Sequence, residues 1–284
     1  MKAYTTKEKI QHFLISNAVP IIFILMSAIA IPLSGFSATY LVQEMLIRLA
    51  RNSFLVLSLI IPIVAGMGLN FGMVLGAMAG QIGLILVSDW AVVGMRGLLL
   101  AALIATPIAI GLGYVCGAVL NRAKGREMVT SYILGFFVNG IYQLTVLYGF
   151  GKVVPIANSE LVLSRGYGIR NAINLAGMRH ALDYLVPIKI GTLNVPVGTY
   201  LTIALFCLFI VWFRRTKLGQ DMRAIGQDMG VAGAAGIPVE KTRIIAIIIS
   251  TVLACFGQII FLQNIGTMNT YNSHDQAGMF AIAA

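Results

Sequence analysis

The chain has 284 residues, of which 58% are hydrophobic and only 11% charged, and its mean hydropathy is +0.89. This composition excludes a soluble globular protein, because too few polar side chains are present to cover the surface of such a fold. The net charge of +10 does not indicate nucleic-acid binding, because the cations cluster at the ends of apolar runs and are not interleaved with aromatic residues. We therefore expect an all-α, polytopic membrane helix bundle whose cations lie near the lipid headgroups.

Uncharged runs long enough to cross a membrane recur along the chain. Because an α-helix rises about 1.5 Å per residue, roughly 20 apolar residues span a hydrocarbon core of ~30 Å. The segments that meet this requirement are 13–33, 97–120, 129–150, 195–213 and 244–265. The first is longer than the apolar region of a typical signal peptide and lacks a small-residue cleavage site, so we expect a retained first helix.

The uncharged run 53–88 is too long for one crossing, since a straight helix of that length would reach about 54 Å. The segment 66–70 contains two glycines and Asn70, which favour a turn followed by the cap of a new helix. We therefore predict one span from 40 to about 64 and another from 71 to 88. Asn70 either caps the second helix or points its amide at a solute within the membrane, where broken helices form binding sites.

Glycines recur at every fourth position of this region, at Gly68, Gly72, Gly76 and Gly80. This spacing places them on one side of a helix, where a neighbouring backbone can approach closely. We predict a helix-packing face there, which serves either as a rigid contact or as a sliding gate. The same spacing occurs once more at Gly113 and Gly117.

The predicted span 129–150 contains several uncharged polar residues. Ser131, Asn139 and Gln143 lie roughly on one side of that helix at 100° per residue. They either line a hydrophilic pathway for a solute, as Asn70 could, or form hydrogen bonds between helices.

The sequence gives no sign of an enzyme, a metal site or a cofactor site. His12, His180 and His274 are scattered and have no carboxylate or Cys at ligand spacing, and each of the three cysteines lies alone in an apolar run. There is no GxSxG elbow, no HExxH helix and no pair of intramembrane aspartates. The sequence also has no GxxxxGK[ST] loop, so any ATP-driven work requires a partner protein.

The distribution of Lys and Arg predicts the sidedness of the loops, because cytoplasmic loops accumulate these residues. With the run 53–88 counted as two crossings, twelve of the 20 cations are cytoplasmic. These are Lys2, Lys7, Lys9, Arg122, Lys124, Arg126, Arg214, Arg215, Lys217, Arg223, Lys241 and Arg243. We therefore predict a multi-pass protein of the cell (plasma or inner) membrane with a cytoplasmic N-terminus, a cytoplasmic loop 214–243 and an extracytoplasmic loop 151–190.

The segment 213–243 is polar and basic between two apolar runs, and it contains a short amphipathic helix. Leu218, Met222, Ile225 and Met229 recur at spacings of four, three and four, so they form one apolar stripe. Polar residues occupy the other faces, and glycines followed by a proline end the segment. Such a helix either seats in the groove of a partner protein or lies on the bilayer surface.

The stretch 216–243, TKLGQDMRAIGQDMGVAGAAGIPVEKTR, resembles the cytoplasmic loop of ABC importer permeases of the ribose and branched-chain amino acid group. The Leu-Gly, Ala-Ile-Gly and Gly-Ile landmarks are in register, and 66–76 and 277–284 resemble the family's glycine-rich region and its late helix start. The resemblance implies a coupling helix that docks on a cytoplasmic ATPase. The residues assigned to docking are Leu218, Gly219, Met222, Arg223, Ile225, Gly226, Met229, Ala232, Gly236 and Ile237. Asp228 and the triplet 230–232 depart from the family pattern, which leaves the finer contacts open.

The resemblance also implies the partners and the kind of solute. We expect residues 1–284 to form one permease domain that works with ABC ATPase subunits, an extracytoplasmic solute-binding protein and a second permease subunit, identical or different. The imported solute would be small and polar, with a simple sugar first and a nucleoside or branched-chain amino acid behind. Members of the family continue beyond the position of Ala284 with about two further helices, so we expect that a C-terminal part is missing.

An ion-coupled secondary transporter or channel is the alternative function. The predicted helix break near Asn70 suggests it, because such breaks form ion and substrate sites in secondary transporters. The interior of the predicted spans contains no carboxylate or His that could carry a coupled proton, which disfavours it. Glu44 and Asp89 lie at segment ends, where charges normally sit in the interface, so they support this alternative only weakly.

Overall fold

The computed structural model describes residues 6–185, 188–190 and 193–283, most of which are helical. The helices are α1 (Thr6–Ser16), α2 (Ala18–Leu33), α3 (Ala38–Val64), α4 (Met73–Asp89), α5 (Gly94–Arg122), α6 (Glu127–Leu144), α7 (Val197–Phe213), α8 (Lys217–Gln227), α9 (Met229–Ala234), α10 (Val239–Ile265) and α11 (Ser273–Ala283). The strands are β1 (Ala172–Asn174), β2 (Ile188–Ile190), β3 (Leu193–Val195) and β4 (Thr267–Asn269). Lys2, one of the cations predicted to be cytoplasmic, lies outside the described residues.

Four of the described helical stretches are long and apolar enough to cross a membrane. They are α3, α5, α10 and Glu127–Gly149, in which a π-helical turn, Thr145–Gly149, continues α6. Joined to α8, α7 passes the same test as a fifth, although the two helices are bent by 75° relative to one another. Both α2 and α4 are apolar but shorter. The all-α, polytopic helix bundle predicted from the sequence is confirmed.

The predicted first span, 13–33, is interrupted at Asn17, where α1 ends and α2 begins. The side-chain amide of Asn17 donates a hydrogen bond to the carbonyl oxygen of Phe13 at 2.9 Å. The backbone N–H of Asn17 donates to the same oxygen at 3.0 Å, and the φ and ψ angles of Asn17, −112° and 20°, depart from helical values. No side chain of α2 is buried, so this helix contributes nothing to the core of the chain.

The helix break predicted at 66–70 is confirmed, since α3 ends at Val64 and α4 begins at Met73. Gly66 and Gly68 have φ angles of +73° and +65°, a left-handed conformation that costs glycine little. The chain therefore reverses between α3 and α4 and returns through the bundle.

The core forms around α10, which packs against α3, α4 and α5. Glycines of α4 permit the close approach. A Cβ atom at Gly76 would overlap the carbonyl oxygen of Thr251 in α10, and one at Gly80 would lie 2.8 Å from the carbonyl oxygen of Cys255. The helices therefore meet backbone to backbone along this line, which increases van der Waals contact where lipid supplies no hydrophobic driving force.

The predicted glycine ladder differs from the structure at Gly68. Gly68 lies in the turn before α4 and is not part of the helix. A Cβ placed on it would have no neighbouring heavy atom within 4 Å. A Cβ at Gly72 would lie 2.5 Å from Cys116 Sγ of α5. Gly113 and Gly117 of α5 face α10, where a Cβ on either would lie 3.0 Å from a backbone Cα atom.

The end of the bundle opposite α8 and α9 carries the long segment between α6 and α7. Two small antiparallel sheets form there, β1 with β4 and β2 with β3. Asp183 of this segment is buried and accepts hydrogen bonds from the hydroxyl of Thr199 and from Asn264 Nδ2 at 2.8 Å. His180 Nδ1 lies 2.7 Å from the same carboxylate. This carboxylate ties the segment to the ends of α7 and α10.

Candidate functional site

The segment between α7 and α10 forms two short helices, α8 and α9, at one end of the bundle. The Thr216 hydroxyl accepts a hydrogen bond from the Gly219 N–H at 3.3 Å and caps α8. Asp228 ends α8 and caps α9, because its Oδ1 accepts from the N–H groups of Gly230 and Val231 at 2.7 and 3.0 Å. Asp228, which departs from the family pattern, therefore has a defined local role as a helix cap.

The apolar stripe of α8 packs against the chain's own bundle. Met222 and Ile225 are 1% and 2% exposed. A Cβ at Gly219 would overlap the Phe213 carbonyl oxygen at the end of α7. Gly219, Met222 and Ile225 therefore face the chain's own bundle, and burial there already satisfies this apolar face of the helix.

Gly226 and Ala232 also lie on the inner side of the segment. A Cβ at Gly226 would overlap the carbonyl oxygen of Val64, the last residue of α3, and Ala232 is 3% exposed. Leu218, Met229 and Ile237 are half-buried. Three of the residues assigned to docking are exposed: Arg223, Gly236 and, on the side away from Val64, Gly226.

A different set of residues forms the outer face of the segment. Val231 is 67% exposed, and Gln227 and Asp228 beside it are exposed as well. Together with Arg223 and Gly230, these residues form what we call the outer α8–α9 face. It combines an apolar side chain with charges of both signs. Val231 was missed because it lies outside the spacing of the apolar stripe.

Arg243, in the second turn of α10, lies beneath this segment. It is 1% exposed, and its Nη2 donates a hydrogen bond to Glu127 Oε1 at 2.5 Å. Its Nη1 lies 2.7 Å from the sulfur of Met229, the first residue of α9. We call these three residues the Arg243 node. The sequence alone indicates only an interfacial cation at Arg243, because Glu127 lies 116 residues away.

Ser131, one of the predicted pathway residues, is fully buried and holds the helix break to α6. Its hydroxyl accepts a hydrogen bond from the Phe71 N–H at 3.1 Å and donates one to the Met128 carbonyl oxygen at 2.9 Å. Asn70 is 3% exposed, and its Oδ1 accepts from the Gly72 N–H at 2.9 Å, which closes the first turn before α4. Both side chains therefore form hydrogen bonds with backbone groups at or beside the helix break.

Asn139 and Gln143 of α6 are half-buried and hydrogen-bonded to one another at 3.3 Å. Asn139 Oδ1 also lies 3.0 Å from Nε2 of His274 in α11. The other imidazole nitrogen of His274 lies 2.9 Å from Gln81 Oε1 of α4. Tyr142 of α6 donates from its hydroxyl to Gln81 Oε1 or to a nearby carbonyl oxygen, each at 2.9 Å. These five residues form a polar cluster among three helices.

His274, to which the sequence assigned no role, is fully buried between α4 and α6. The segment 266–273 contains no long apolar run, so the sequence did not indicate that α11 turns back into the bundle. The polar residues before His274 are the signal in the sequence that could have indicated this. Buried polar groups need hydrogen-bond partners, and the bundle supplies them.

A cleft of about 770 Å³ lies beside this cluster, between α4, α6 and α11. Aromatic side chains, including Tyr132 and Phe136, and the aliphatic Val74 supply much of its lining, and Asp275 is its charged group. Asp275 Oδ1 lies 3.5 Å from His274 Nε2, so the carboxylate connects the cleft with the polar cluster. A mostly apolar cleft with a few convergent polar groups is the usual form of a small-molecule site.

Comparison with known proteins identifies the family. Residues 41–284 match the family described as branched-chain amino acid transport system / permease component. The chain belongs to this permease family. The match confirms the resemblance that the segment 216–243 indicated. With its apolar helices, the permease is a multi-pass membrane protein.

Two relatives show how far the similarity extends. The permease is 25% identical over 248 residues to the autoinducer 2 import system permease protein LsrD of Photorhabdus luminescens, a match that covers 84% of this chain and 66% of that protein. It is 34% identical over 77 residues to the probable ABC transporter permease protein YphD of Escherichia coli (strain K12), covering 27% of this chain and 23% of that protein. The permease thus spans slightly less than two thirds of the length of LsrD. No solved structure matches the chain.

Proposed function

We propose that this permease is the membrane-spanning subunit of an ATP-driven importer of a small polar solute. The outer α8–α9 face carries the proposal, because it presents an exposed apolar residue, Val231, and charges at one end of a bundle whose family consists of transport permeases. Protein interfaces have an apolar centre and a polar rim, and Val231 among these charges has that arrangement. In this proposal the face lies in the cytoplasm and binds an ABC ATPase subunit, and the N-terminus is cytoplasmic too.

The solute pathway of this proposal runs beside α6. Asn139 Oδ1 is engaged by Gln143 and His274, and within the described part of the chain its Nδ2 makes no hydrogen bond. The amide can therefore donate to an oxygen of a solute. Hydrogen-bond donors of this kind suit hydroxyl or carbonyl groups, which fits a simple sugar first and a nucleoside second. The relative LsrD is named for import of autoinducer 2.

The remaining partners follow from the same proposal. A second permease subunit, identical or different, would complete the pathway, and a solute-binding protein would dock on the opposite end of the bundle. The segment 151–185 at that end exposes Arg165, Arg170 and Arg179, with Glu160 among them, so its surface is predominantly basic.

Substitution of Val231 tests the docking proposal. Val231→Glu places a charge in the centre of the outer α8–α9 face without entering the core. We expect co-purification of an ABC ATPase, identified by mass spectrometry from membranes of the native host, to fall about tenfold or more, as for a residue in the centre of an interface. Val153→Glu is the matched control, because Val153 is 81% exposed at the opposite end of the bundle. Absence of any ATPase from the unsubstituted permease would overturn the proposal.

An ion-coupled carrier is the second candidate, and the position of His274 is the observation that favours it. A buried imidazole beside Asp275 is the kind of pair that carries protons in secondary transporters. Counterflow in reconstituted vesicles distinguishes the two functions. Exchange that needs no ATP and disappears in His274→Gln supports the carrier, whereas uptake that requires ATP supports the importer.

A further inference from the structure

The Arg243 node joins three separate segments of the permease. Arg243 belongs to α10, Glu127 is the first residue of α6, and Met229 is the first residue of α9. The guanidinium is 1% exposed, and its two terminal nitrogens contact the two partners, at 2.5 Å to Glu127 Oε1 and 2.7 Å to Met229 Sδ. One side chain therefore connects the outer α8–α9 segment with the helix that carries Asn139 and Gln143.

A buried charge at this position is not explained by stability alone. Removing a guanidinium and a carboxylate from water costs free energy that their attraction only partly returns, and apolar residues of similar size often serve as well. What the ion pair adds is a fixed geometry. The planar fork of arginine holds two partners in set directions, whereas the ammonium of lysine is a single point charge.

The contacts of α6 extend this connection to the helix break. Glu127 lies one helical turn before Ser131, and the Ser131 hydroxyl accepts the hydrogen bond of the Phe71 N–H. Gly66 in the same break approaches α8, since a Cβ on Gly66 would lie 2.8 Å from Gly226 Cα. The α8–α9 segment is therefore linked to α6 by two sets of contacts, through Arg243 and through the break.

We propose that Arg243 is a positioning residue that transmits displacement of the α8–α9 segment to α6, so that ATP hydrolysis in the docked subunit opens the solute pathway. This proposal rests on the proposed function. Binding or release of the ATPase shifts α9, Met229 moves against the guanidinium, and the ion pair moves Glu127 with the first turn of α6. Packed elements joined in this way change between discrete arrangements rather than deforming gradually.

The test separates coupling from assembly. Arg243→Lys retains the positive charge beside Glu127 and loses the second arm of the fork. Met229→Leu removes the sulfur contact but keeps an apolar side chain. Because Arg243 stays paired with Glu127, this variant is expected to fold even if the lysine variant does not. Three quantities are measured on each purified complex: the amount of ATPase bound, the rate of ATP hydrolysis, and uptake of radiolabelled ribose, as the simple-sugar probe, into vesicles.

We expect both variants to bind the ATPase normally and to hydrolyse ATP, while uptake per ATP hydrolysed falls about tenfold in Arg243→Lys, the factor expected for the loss of one hydrogen bond to a charged group. Met229→Leu should show the same change to a smaller extent, and the double variant should be no worse than Arg243→Lys alone. Lys124→Ala is the control, because the Lys124–Glu240 pair joins the same end of α10 to its neighbour at 3.3 Å but is exposed.

Two results would overturn the proposal. One is an unchanged ratio of uptake to hydrolysis in both variants. The other is a loss of uptake that merely follows the amount of assembled complex, which would make the node structural only. Failure of the proposed function is distinguishable from both, because the unsubstituted permease would then bind no ATPase.

Discussion

Gly226 of α8 and Gly66 of the helix break lie backbone against backbone. A Cβ on Gly66 would lie 2.8 Å from Gly226 Cα, and a Cβ on Gly226 would overlap the Val64 carbonyl oxygen. Gly66 also has a φ angle of +73°, which other residues adopt at a cost. This contact seats the α8–α9 segment on the point where α3 ends, so the position of the segment depends on two glycines 160 residues apart in the sequence.

Gly226→Ala should displace α8 from the bundle. The added methyl group meets backbone, which cannot move aside, and overpacking of this kind costs about 1–3 kcal/mol. We expect a lower thermal unfolding temperature in detergent and weaker binding of the ATPase. Gly233→Ala is the control, because the nearest atom to its Cβ is Val239 Cγ2 at 3.8 Å. Equal behaviour of the two variants would contradict the contact.

Gly76→Ala should loosen the packing of α4 on α10. The new Cβ would overlap the Thr251 carbonyl oxygen, so the helices must separate or shift, again at a cost of about 1–3 kcal/mol. Gly111→Ala in α5 provides the comparison, since no atom lies within 4 Å of its Cβ. Thermal unfolding of both variants measures the difference, and a stable Gly76→Ala protein would show that the close approach is not required.

His274→Ala should destabilise the polar cluster and impair transport together. Removing the imidazole leaves the buried amide of Gln81 and the amide of Asn139 without this partner, which costs about 1–3 kcal/mol. We expect uptake to fall as in Asn139→Ala, and the double variant to lose no more than the single ones, because both changes break the same hydrogen bond. His12→Ala, at an exposed position of α1, should behave as the unsubstituted protein. If the losses of uptake in the two single variants add up in the double variant, the two residues act independently, which would contradict this prediction.

Asp183→Asn should weaken the end of the bundle opposite α8 and α9. The carboxylate accepts hydrogen bonds from Thr199, Gln263 and Asn264, and an amide can replace only one of its two acceptor oxygens. We expect a loss of about 1–3 kcal/mol in thermal unfolding measurements. Glu160→Gln on the exposed part of the same segment serves as the control and should change stability little. Matching stability of the two variants would show that Asp183 is not a structural anchor.

The sequence by itself determined the membrane character, the all-α class, the break between α3 and α4 and the family. Each depends on local composition: uncharged runs have the length of a bilayer, and Gly66, Gly68 and Asn70 carry turn and cap preferences within a few residues. The motif that indicated the family also lies within one continuous stretch, 216–243. These features could be predicted because the physical cause lies within the segment itself.

Tertiary structure alone decided which side chains are available. Met222 and Ile225 fit the pattern of a docking stripe, yet both are buried in the bundle, and Val231 outside the stripe is exposed instead. Periodicity defines an apolar face but not what covers it. The contacts of His274 with Gln81 and Asn139 and of Arg243 with Glu127 join residues more than 100 positions apart, so only the packed bundle brings these groups together.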